Sequence, residues 1–432
     1  MKNKAKAKAF AQDLISFIDN SPVSYFAVEN IINTLQSEGY QPLDEGDKWQ
    51  LQAGQKYYIQ RNNSALLAFQ VGSEKPWQTG FNLAGAHTDS PYLKLKNESL
   101  TKSAGCLKVS IETYGGAINS TWLDRDLSLA GRIALKTEQG ITTKLVDFKD
   151  AIGSIPNLAI HLNREANTGF EYNKQTHLPV ILHASDIEID EKTYLKELVA
   201  TQAGVQANDI LEMDLYFYDT QKGALIGLDK DIIATGRLDN LAMCHCIYKS
   251  LLSDSAPKQT NIAAFFDNEE IGSKTLMGAD SNFLNSALER ICFALSGDQE
   301  DCLRAKHKSF LISADGAHAL HPNYTDKHDK AYAPLLNKGP VIKLSANFRY
   351  ATTAESAATF INLCEQVNVP YQKMANRSDL PSGSTIGPTS SAQLGINTID
   401  VGNPMLAMHS IRESQGYLDH YYMYQVLQQF YR

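Results

Sequence analysis

Residues 261–273, NIAAFFDNEEIGS, join a short apolar run to an acidic cluster and a glycine turn. The apolar run predicts a buried strand that ends where the acidic residues begin. Glu269 and Glu270 stand at the tip of that strand, where burial of charge is costly unless a positive partner compensates it. A metal ion could compensate, with one glutamate as ligand and the other taking a proton from an activated water. A solvated acidic turn is the alternative interpretation.

The composition is that of a soluble globular protein with room for two sizeable cores. The chain has 432 residues, of which 43% are hydrophobic and 20% are charged. A net charge of -8 argues against nucleic acid as a partner, because binding would need an excess of basic residues. No apolar run is long enough to span a membrane. The six cysteines are scattered and no signal peptide precedes them, so we expect reduced thiols in a cytoplasmic protein.

The pattern of secondary structure changes twice along the chain. Strands alternate with helices in residues 1–91 and again in residues 236–432, which predicts one α/β domain with a central mixed sheet flanked by helices. Residues 92–235 are rich in short strands and turns, and they predict a β-rich insertion of domain size. Within this insertion, the alternating apolar residues of segment 158–162 predict one of the short strands.

Histidines and acids recur where apolar strands end. They are His87, Asp239, the pair Glu269 and Glu270, Asp315, and His409. In open α/β sheets the strand ends line the ligand crevice, so we expect these side chains to meet. Histidine and carboxylate ligands together fit borderline divalent ions such as zinc better than calcium. Asp89 lies two residues from His87 and could fix the tautomer of that histidine from outside the metal shell.

An ordered set of motifs spans nearly the whole chain. The motifs are AHTDSP at 86–91, GRLDN at 236–240, DNEEIGS at 267–273, AHALHPNY at 317–324, KGPVIK at 338–343, GSTIGP at 383–388 and LAMHSIRE at 406–413. As an ordered set they resemble the aspartyl aminopeptidase family, which consists of cytosolic dinuclear zinc exopeptidases. The resemblance implies a fold of the zinc-exopeptidase type and an enzyme that cleaves peptides from the N-terminus.

The resemblance also implies a role for each residue of the constellation. Two divalent ions, most simply Zn²⁺ with Mn²⁺ or Co²⁺ as alternatives, would be bridged by Asp239. The remaining ligands would form two pairs, His87 with Asp315 and Glu270 with His409. Glu269 would be the general base.

Three further residues would contact the substrate by this resemblance, namely His318, Lys343 and Tyr350. Lys343 ends an apolar strand, so it is either part of a structural ion pair or a cation that binds the side-chain carboxylate of an N-terminal Asp or Glu. The resemblance favours the second role.

His161 in the β-rich insertion matches a histidine that the family supplies to the active site of a neighbouring subunit. A buried core or interface histidine is the alternative. The insertion would accordingly be a dimerisation domain, and the family's assembly is a tetrahedral dodecamer of dimers.

We therefore predict a metallo-aminopeptidase that removes N-terminal Asp and Glu from peptides with a free N-terminus. An aminopeptidase for neutral residues or a deacylase of the same fold is the first alternative. A non-catalytic assembly protein is the second, and the presence of every expected ligand together with Glu269 argues against it.

Overall fold

The computed structural model describes residues 2–184, 188–252 and 257–432. The chain divides into two compact units. The first unit comprises Met1–Asp89, Gly223–Met408 and Glu413–Arg432. The second unit comprises Ser90–Lys222 and His409–Arg412.

Helices and strands are numbered in chain order. The helices are α1 Lys2–Asp19, α2 Ser24–Ser37, α3 Pro76–Thr79, α4 Tyr194–Ala203, α5 Leu238–Leu251, α6 Phe283–Ala294, α7 Gln299–His307, α8 Ala354–Gln366, α9 Ile386–Leu394 and α10 Tyr417–Phe430. The strands are β1 Gln41–Pro42, β2 Lys56–Arg61, β3 Ala65–Gln70, β4 Phe81–His87, β5 Tyr92–Ser103, β6 Cys106–Tyr114, β7 Leu127–Thr137, β8 Gly140–Asp147, β9 Val180–His183, β10 Ile210–Asp219, β11 Ala224–Ile226, β12 Ile232–Thr235, β13 Thr260–Phe266, β14 Phe310–Ala314, β15 Ala317–His318, β16 Val341–Leu344, β17 Gln372–Ala375, β18 Asn397–Gly402, β19 Pro404–Leu406 and β20 Glu413–Gly416. Within the described residues, no helix combines the length and the apolarity that a membrane crossing requires.

A nine-stranded sheet forms the centre of the first unit, in the order β1-β2-β3-β13-β4-β14-β18-β16-β17. Strands β13, β4, β14 and β18 run parallel, whereas β3 and β16 are antiparallel to their central neighbours. Every residue of β13 is buried because helices cover both faces. Its side chains alternate between a core with α1, α2, α5, α8 and α10 and a core with α6, α7 and α9. The predicted mixed sheet flanked by helices is confirmed.

A second sheet of the first unit has five strands in the order β11-β12-β20-β19-β15. Strands β11 and β12 belong to this sheet, and β12 pairs with β20 near the end of the chain. The unit boundary therefore lies before Gly223, whereas the sequence placed it after residue 235. The other boundary lies between Asp89 and Ser90, two residues before the predicted position.

The second unit is built on a six-stranded sheet in the order β8-β7-β10-β5-β6-β9, in which every pair is antiparallel. The apolar face of α4 and the buried side of this sheet form one core. Ile411 is part of that core, and its backbone N–H donates to Thr121 Oγ1 at 3.0 Å, so the short segment 409–412 belongs to this unit.

The predicted strand at 158–162 is wrong, because the segment forms a turn. The N–H of Leu162 donates to the carbonyl of Ala159 at 2.8 Å, which satisfies the backbone locally. The alternating side chains face solvent, with Leu158 57% and Leu162 74% exposed. Apolar alternation here marks an exposed apolar surface and not a paired strand.

Gly402, the last residue of β18, permits a close approach of two chain segments. A Cβ at this position would lie only 1.6 Å from the carbonyl oxygen of Asp315. We expect Gly402→Ala to lower the free energy of unfolding by about 1–3 kcal/mol, because the added methyl group must displace backbone. Gly383→Ala is the control, since a Cβ there meets no atom within 4 Å. Denaturant unfolding measures both variants, and equal stability of the two would contradict the steric argument.

Candidate active site

Three adjacent parallel strands deliver the predicted acids and histidine to one edge of the nine-stranded sheet. His87 is the last residue of β4, the central strand of the three. On one side of it β13 leads into a 3-10 turn at Glu269–Ile271, and on the other side β14 leads into Asp315. Since parallel strands end at the same edge, residues far apart in sequence meet there.

The side chains at this edge lie within a few ångströms of one another. His87 Nε2 is 3.3 Å from Asp239 Oδ1, 3.8 Å from Asp315 Oδ1 and 3.9 Å from Glu269 Oε2. His87, Asp239 and Glu270 each offer one ligand atom, and these three atoms lie within 4.8 Å of one another. A buried imidazole among several carboxylates is a donor set that suits zinc, and the concentrated negative charge calls for a cation. The residues present therefore fit a divalent metal.

Asp239 is held by a backbone that departs from helical geometry at the start of α5. Its N–H donates to Glu413 Oε2 at 3.0 Å, and the side chain of the next residue, Asn240, donates to the carbonyl of Ala314 at 2.9 Å. Glu413 is buried and was not assigned a role from the sequence. Its one sequence signal is its place in the motif 406–413, which does not reveal that it supports Asp239.

Asp89 supports both parts of the cluster. Its carboxylate accepts the backbone N–H groups of Glu269 at 3.2 Å and of Glu270 at 3.1 Å. His87 Nδ1 faces the same residue, 3.2 Å from Oδ1 and 3.0 Å from the carbonyl oxygen. The sequence suggested only the contact with the histidine. The two contacts with the glutamate backbone depend on the pairing of β4 with β13, which is not local in sequence.

The crowding of carboxylates shifts the pKa values of the cluster. Burial raises the pKa of Glu269 to about 8; the charges of Asp315, Asp89 and Asp239 act in the same direction and that of His87 opposes them. Burial disfavours the charged form of His87, but its hydrogen bonds to Asp239, Asp315 and Asp89 raise its pKa well above the usual value. Protons bound to His87 and Glu269 therefore offset part of the negative charge of this cluster, and a bound cation would displace them.

Lys343 lies beside the cluster on β16. Its Nζ is 3.4 Å from Asp315 Oδ2 and 5.3 Å from the centre of the Tyr350 ring. Both side chains are buried, with Lys343 3% and Tyr350 4% exposed. Burial disfavours the ammonium, but the neighbouring Asp315, Tyr350, Asp400 and Asp239 together raise the pKa of Lys343 above its usual value. The ion pair considered from the sequence is present, and its partner is one of the predicted metal ligands.

His318 follows the same edge on the short strand β15, three residues after Asp315. Its side chain reaches the surface, yet the surrounding protein and the charge of Lys343 lower its pKa, so the imidazole is neutral near pH 7. It remains a predicted substrate contact.

The two other predicted histidines belong to the second unit. His409 has a left-handed backbone with φ 68°, and its Nδ1 lies 3.1 Å from the carbonyl oxygen of Gly116. His161 is exposed in the turn formed by segment 158–162. The structure brings together His87, Asp239, Glu269, Glu270 and Asp315. The roles of these five residues, like those of His409 and His161, stay predictions.

Comparisons with known proteins cover nearly the whole chain. Residues 17–431 match the family of aminopeptidase I zinc metalloproteases, M18. The chain is 45% identical over 434 residues to a probable M18 family aminopeptidase 2 of Clostridium novyi (strain NT), with 100% of both proteins covered.

Solved structures share the fold. The cryo-EM structure of the Ape4 and Nbr1 complex contains a chain that is 36% identical, with a TM-score of 0.95 over 99% of this chain and 86% of that chain. The S. cerevisiae mApe1 dodecamer gives a TM-score of 0.83 at 29% identity, over 97% of this chain and 95% of that chain. Since these matches extend over both units and include the clustered residues, the chain belongs to the M18 family of zinc metallo-aminopeptidases.

Proposed function

We propose that this M18 metallo-aminopeptidase releases N-terminal Asp and Glu from peptides, using two metal ions and Glu269 as general base. The observation that carries the proposal is the meeting of His87, Asp239, Glu269 and Asp315 at one sheet edge, with Lys343 in contact with Asp315. The cluster supplies the hydrolytic groups, and the lysine supplies a cation beside them.

Five residues would hold the two ions, which are most simply Zn²⁺. Asp239 would bridge them, with His87 and Asp315 on one ion and Glu270 and His409 on the other. When bound, the ions polarise the scissile carbonyl and make water a better nucleophile. Asp89 would keep His87 in the tautomer that presents Nε2 to the metal, because it occupies the Nδ1 side of the ring.

The two adjacent glutamates have different places in the cluster. The carboxylate of Glu270 lies within the group that His87 and Asp239 form, as a ligand would. Glu269 stands 3.9 Å from His87 Nε2, near enough to act on a water among these groups. It would take the proton from the attacking water and pass it to the nitrogen of the leaving peptide.

Glu269→Gln tests this role. We expect kcat to fall at least about 100-fold while the metal content is unchanged, because the amide keeps the shape but cannot accept the proton. Peptide hydrolysis and elemental analysis measure the two quantities. The control is Glu300→Gln, at an exposed position of α7. Turnover like that of the wild type in Glu269→Gln would remove the residue from the mechanism.

Lys343 is the residue we propose for recognition of the acidic side chain. Its ammonium is buried next to Asp315 and above Tyr350, so it stands at the metal cluster and away from bulk solvent. A desolvated cation favours a carboxylate strongly and rejects neutral side chains that leave it without a partner. The free α-amine of the substrate would bind to the carboxylates around the metals. Because only the first residue of a peptide carries such an amine, cleavage would be restricted to the first peptide bond.

The substrate preference gives a direct test of Lys343. We expect wild-type protein to cleave Asp- and Glu-terminated peptides faster than Leu-terminated ones, and Lys343→Leu to lose that preference by about 100-fold or more in kcat/KM. Lys306→Met is the matched control, because Lys306 is also buried and paired, with Glu289 at 2.8 Å on α6. If the wild type prefers Leu-terminated peptides, the protein is a neutral aminopeptidase. If it cleaves no peptide but deacylates amino-acid derivatives, it is a deacylase.

We further propose a homo-oligomer, a tetrahedral dodecamer of dimers, in which the β-rich insertion is the dimerisation domain. The solved structure of S. cerevisiae mApe1 is that of a dodecamer. In this chain, the exposed apolar side chains of Leu158, Ile160 and Leu162 flank His161, and such a patch is typical of an interface. His161 would then reach the active site of the neighbouring subunit. The proposed location is the cytoplasm, on the basis of the six scattered cysteines.

Assembly and activity should fail together if His161 acts in a neighbour. Light scattering should give about twelve times the 47.8 kDa chain mass for the wild type. We expect Leu162→Asp to yield smaller, inactive species, because it places charge in an apolar contact. Leu228→Asp, on a fully exposed leucine of the first unit, should change neither property. A fully active monomer would contradict both the interface and the role of His161.

A further inference from the structure

We infer that a cavity next to the metal cluster receives the side chain of the second residue of the peptide and favours large apolar side chains there. This inference rests on the proposed function, because it assigns the part of the substrate that leaves. The cavity has a volume of about 280 Å³ and lies wholly within the first unit. Its lining includes His318 but neither Lys343 nor Tyr350.

The cavity shares a wall with the cluster. Met405 and Met408 line it, and their side-chain ends pack against Gly316. A Cβ built on Gly316 would lie 2.6 Å from Met405 Sδ, 3.0 Å from Met408 Cε and 3.8 Å from Asp239 Cγ. The same glycine therefore separates the proposed bridging ligand from the two methionines. The pairing of His318 with Met405 between β15 and β19 continues this wall.

The position of the cavity assigns it to the leaving side of the scissile bond. A peptide extends in two directions from that bond, and in an aminopeptidase only one residue lies on the N-terminal side. We propose that Lys343 and Tyr350 bind the side chain of this first substrate residue. Neither Lys343 nor Tyr350 lines the cavity. The cavity, which Gly316 separates from Asp239, is then placed for the next residue. Its volume is close to that of a small ligand site and holds one large side chain.

The chemistry of the lining selects apolar side chains. Besides the two methionines, the apolar part of the lining consists of Leu380, Pro381, Leu406 and three alanines. The uncharged or weakly basic polar residues of the lining are His318, His321, His328 and Asn376. Methionine is flexible and polarisable, so it adapts to aliphatic and aromatic groups of different shape. A glycine at the second position of the peptide would leave this apolar surface in contact with water. The complex would then lose the favourable free energy of burying an apolar side chain.

The two cationic residues that line the cavity, Arg377 and Lys327, are each paired with an aspartate outside the lining. Arg377 donates from Nε and Nη2 to Asp379 at 2.9 and 2.6 Å, and from Nη1 to the carbonyl of Asp326 at 2.6 Å. Lys327 lies 3.6 Å from Asp326. Each cation thus has an acid beside it, so we expect the apolar part of the lining to decide which side chain binds.

Two peptide series separate this inference from the proposed function. In the first, residue one varies among Asp, Glu and Leu with residue two constant, which tests the proposed function alone. In the second, the preferred first residue is kept and residue two is Gly, Ala, Leu, Met, Phe, Asp or Lys. We expect kcat/KM to be about tenfold or more higher for Leu, Met and Phe than for Gly, Asp or Lys. Equal kcat/KM across the second series would overturn the inference, whatever the first series shows.

Variants of the lining locate the effect. Leu380 is 39% exposed, so Leu380→Asp should fold, and we expect it to lower kcat/KM for Leu and raise it for Lys at position two. Ala375→Leu, which narrows the cavity, should lower cleavage with Phe more than with Ala. Leu303→Asp is the matched control, at an exposed position of α7 outside the cavity. If Leu380→Asp and Ala375→Leu keep the wild-type order of second residues, or if Leu303→Asp changes it equally, the cavity is not the subsite.

Discussion

Negative charge buried at the carboxyl edge of β13, β4 and β14 is the constraint on which the rest of the first unit depends. Carboxylates in a low-dielectric site repel each other and disfavour their own ionised forms, as the raised pKa of Glu269 shows. Only positive charge makes such a cluster stable. His87 and Lys343 supply part of it within the chain. The zinc of an M18 aminopeptidase would supply the remainder, so the arrangement that is costly for folding is the one that would bind the cofactor.

The surrounding structure holds these groups through backbone contacts, which are more rigid than side-chain contacts alone. Asp89 fixes the turn that carries both glutamates, and Glu413 fixes the backbone of Asp239. Gly402 lets β18 approach the carbonyl of Asp315 more closely than any other residue type would allow. Each of these contacts joins segments that are distant in sequence, so the geometry of the centre requires the completed sheet. Such preorganisation favours catalysis, because the carboxylates and the imidazole already lie in place before the reaction begins.

The environment of the cluster would also orient the substrate that we propose. The buried ammonium of Lys343 lies beside Asp315 and Tyr350, and the methionine-lined cavity lies behind Gly316. We propose that the cation binds an acidic first residue of the peptide and that the cavity, which Gly316 separates from Asp239, receives an apolar second one. His318 is the one proposed substrate contact that lines the cavity, and its neutral imidazole can serve as donor or acceptor there.

The sequence by itself determined the fold class, the positions of the central strands along the chain and the residue types of the cluster at the sheet edge. Apolar periodicity and motif position are local properties, so β4, β13 and β14 and the acids at their ends were accessible from it. Only the tertiary structure decided that β13 and β14 flank β4, that Asp89 holds the glutamate backbone and that Lys343 pairs with Asp315. It also showed that segment 158–162 is an exposed turn and that residues 223–235 belong to the first unit. These features depend on pairing between distant segments, and hydrophobic pattern does not encode which strand lies beside which.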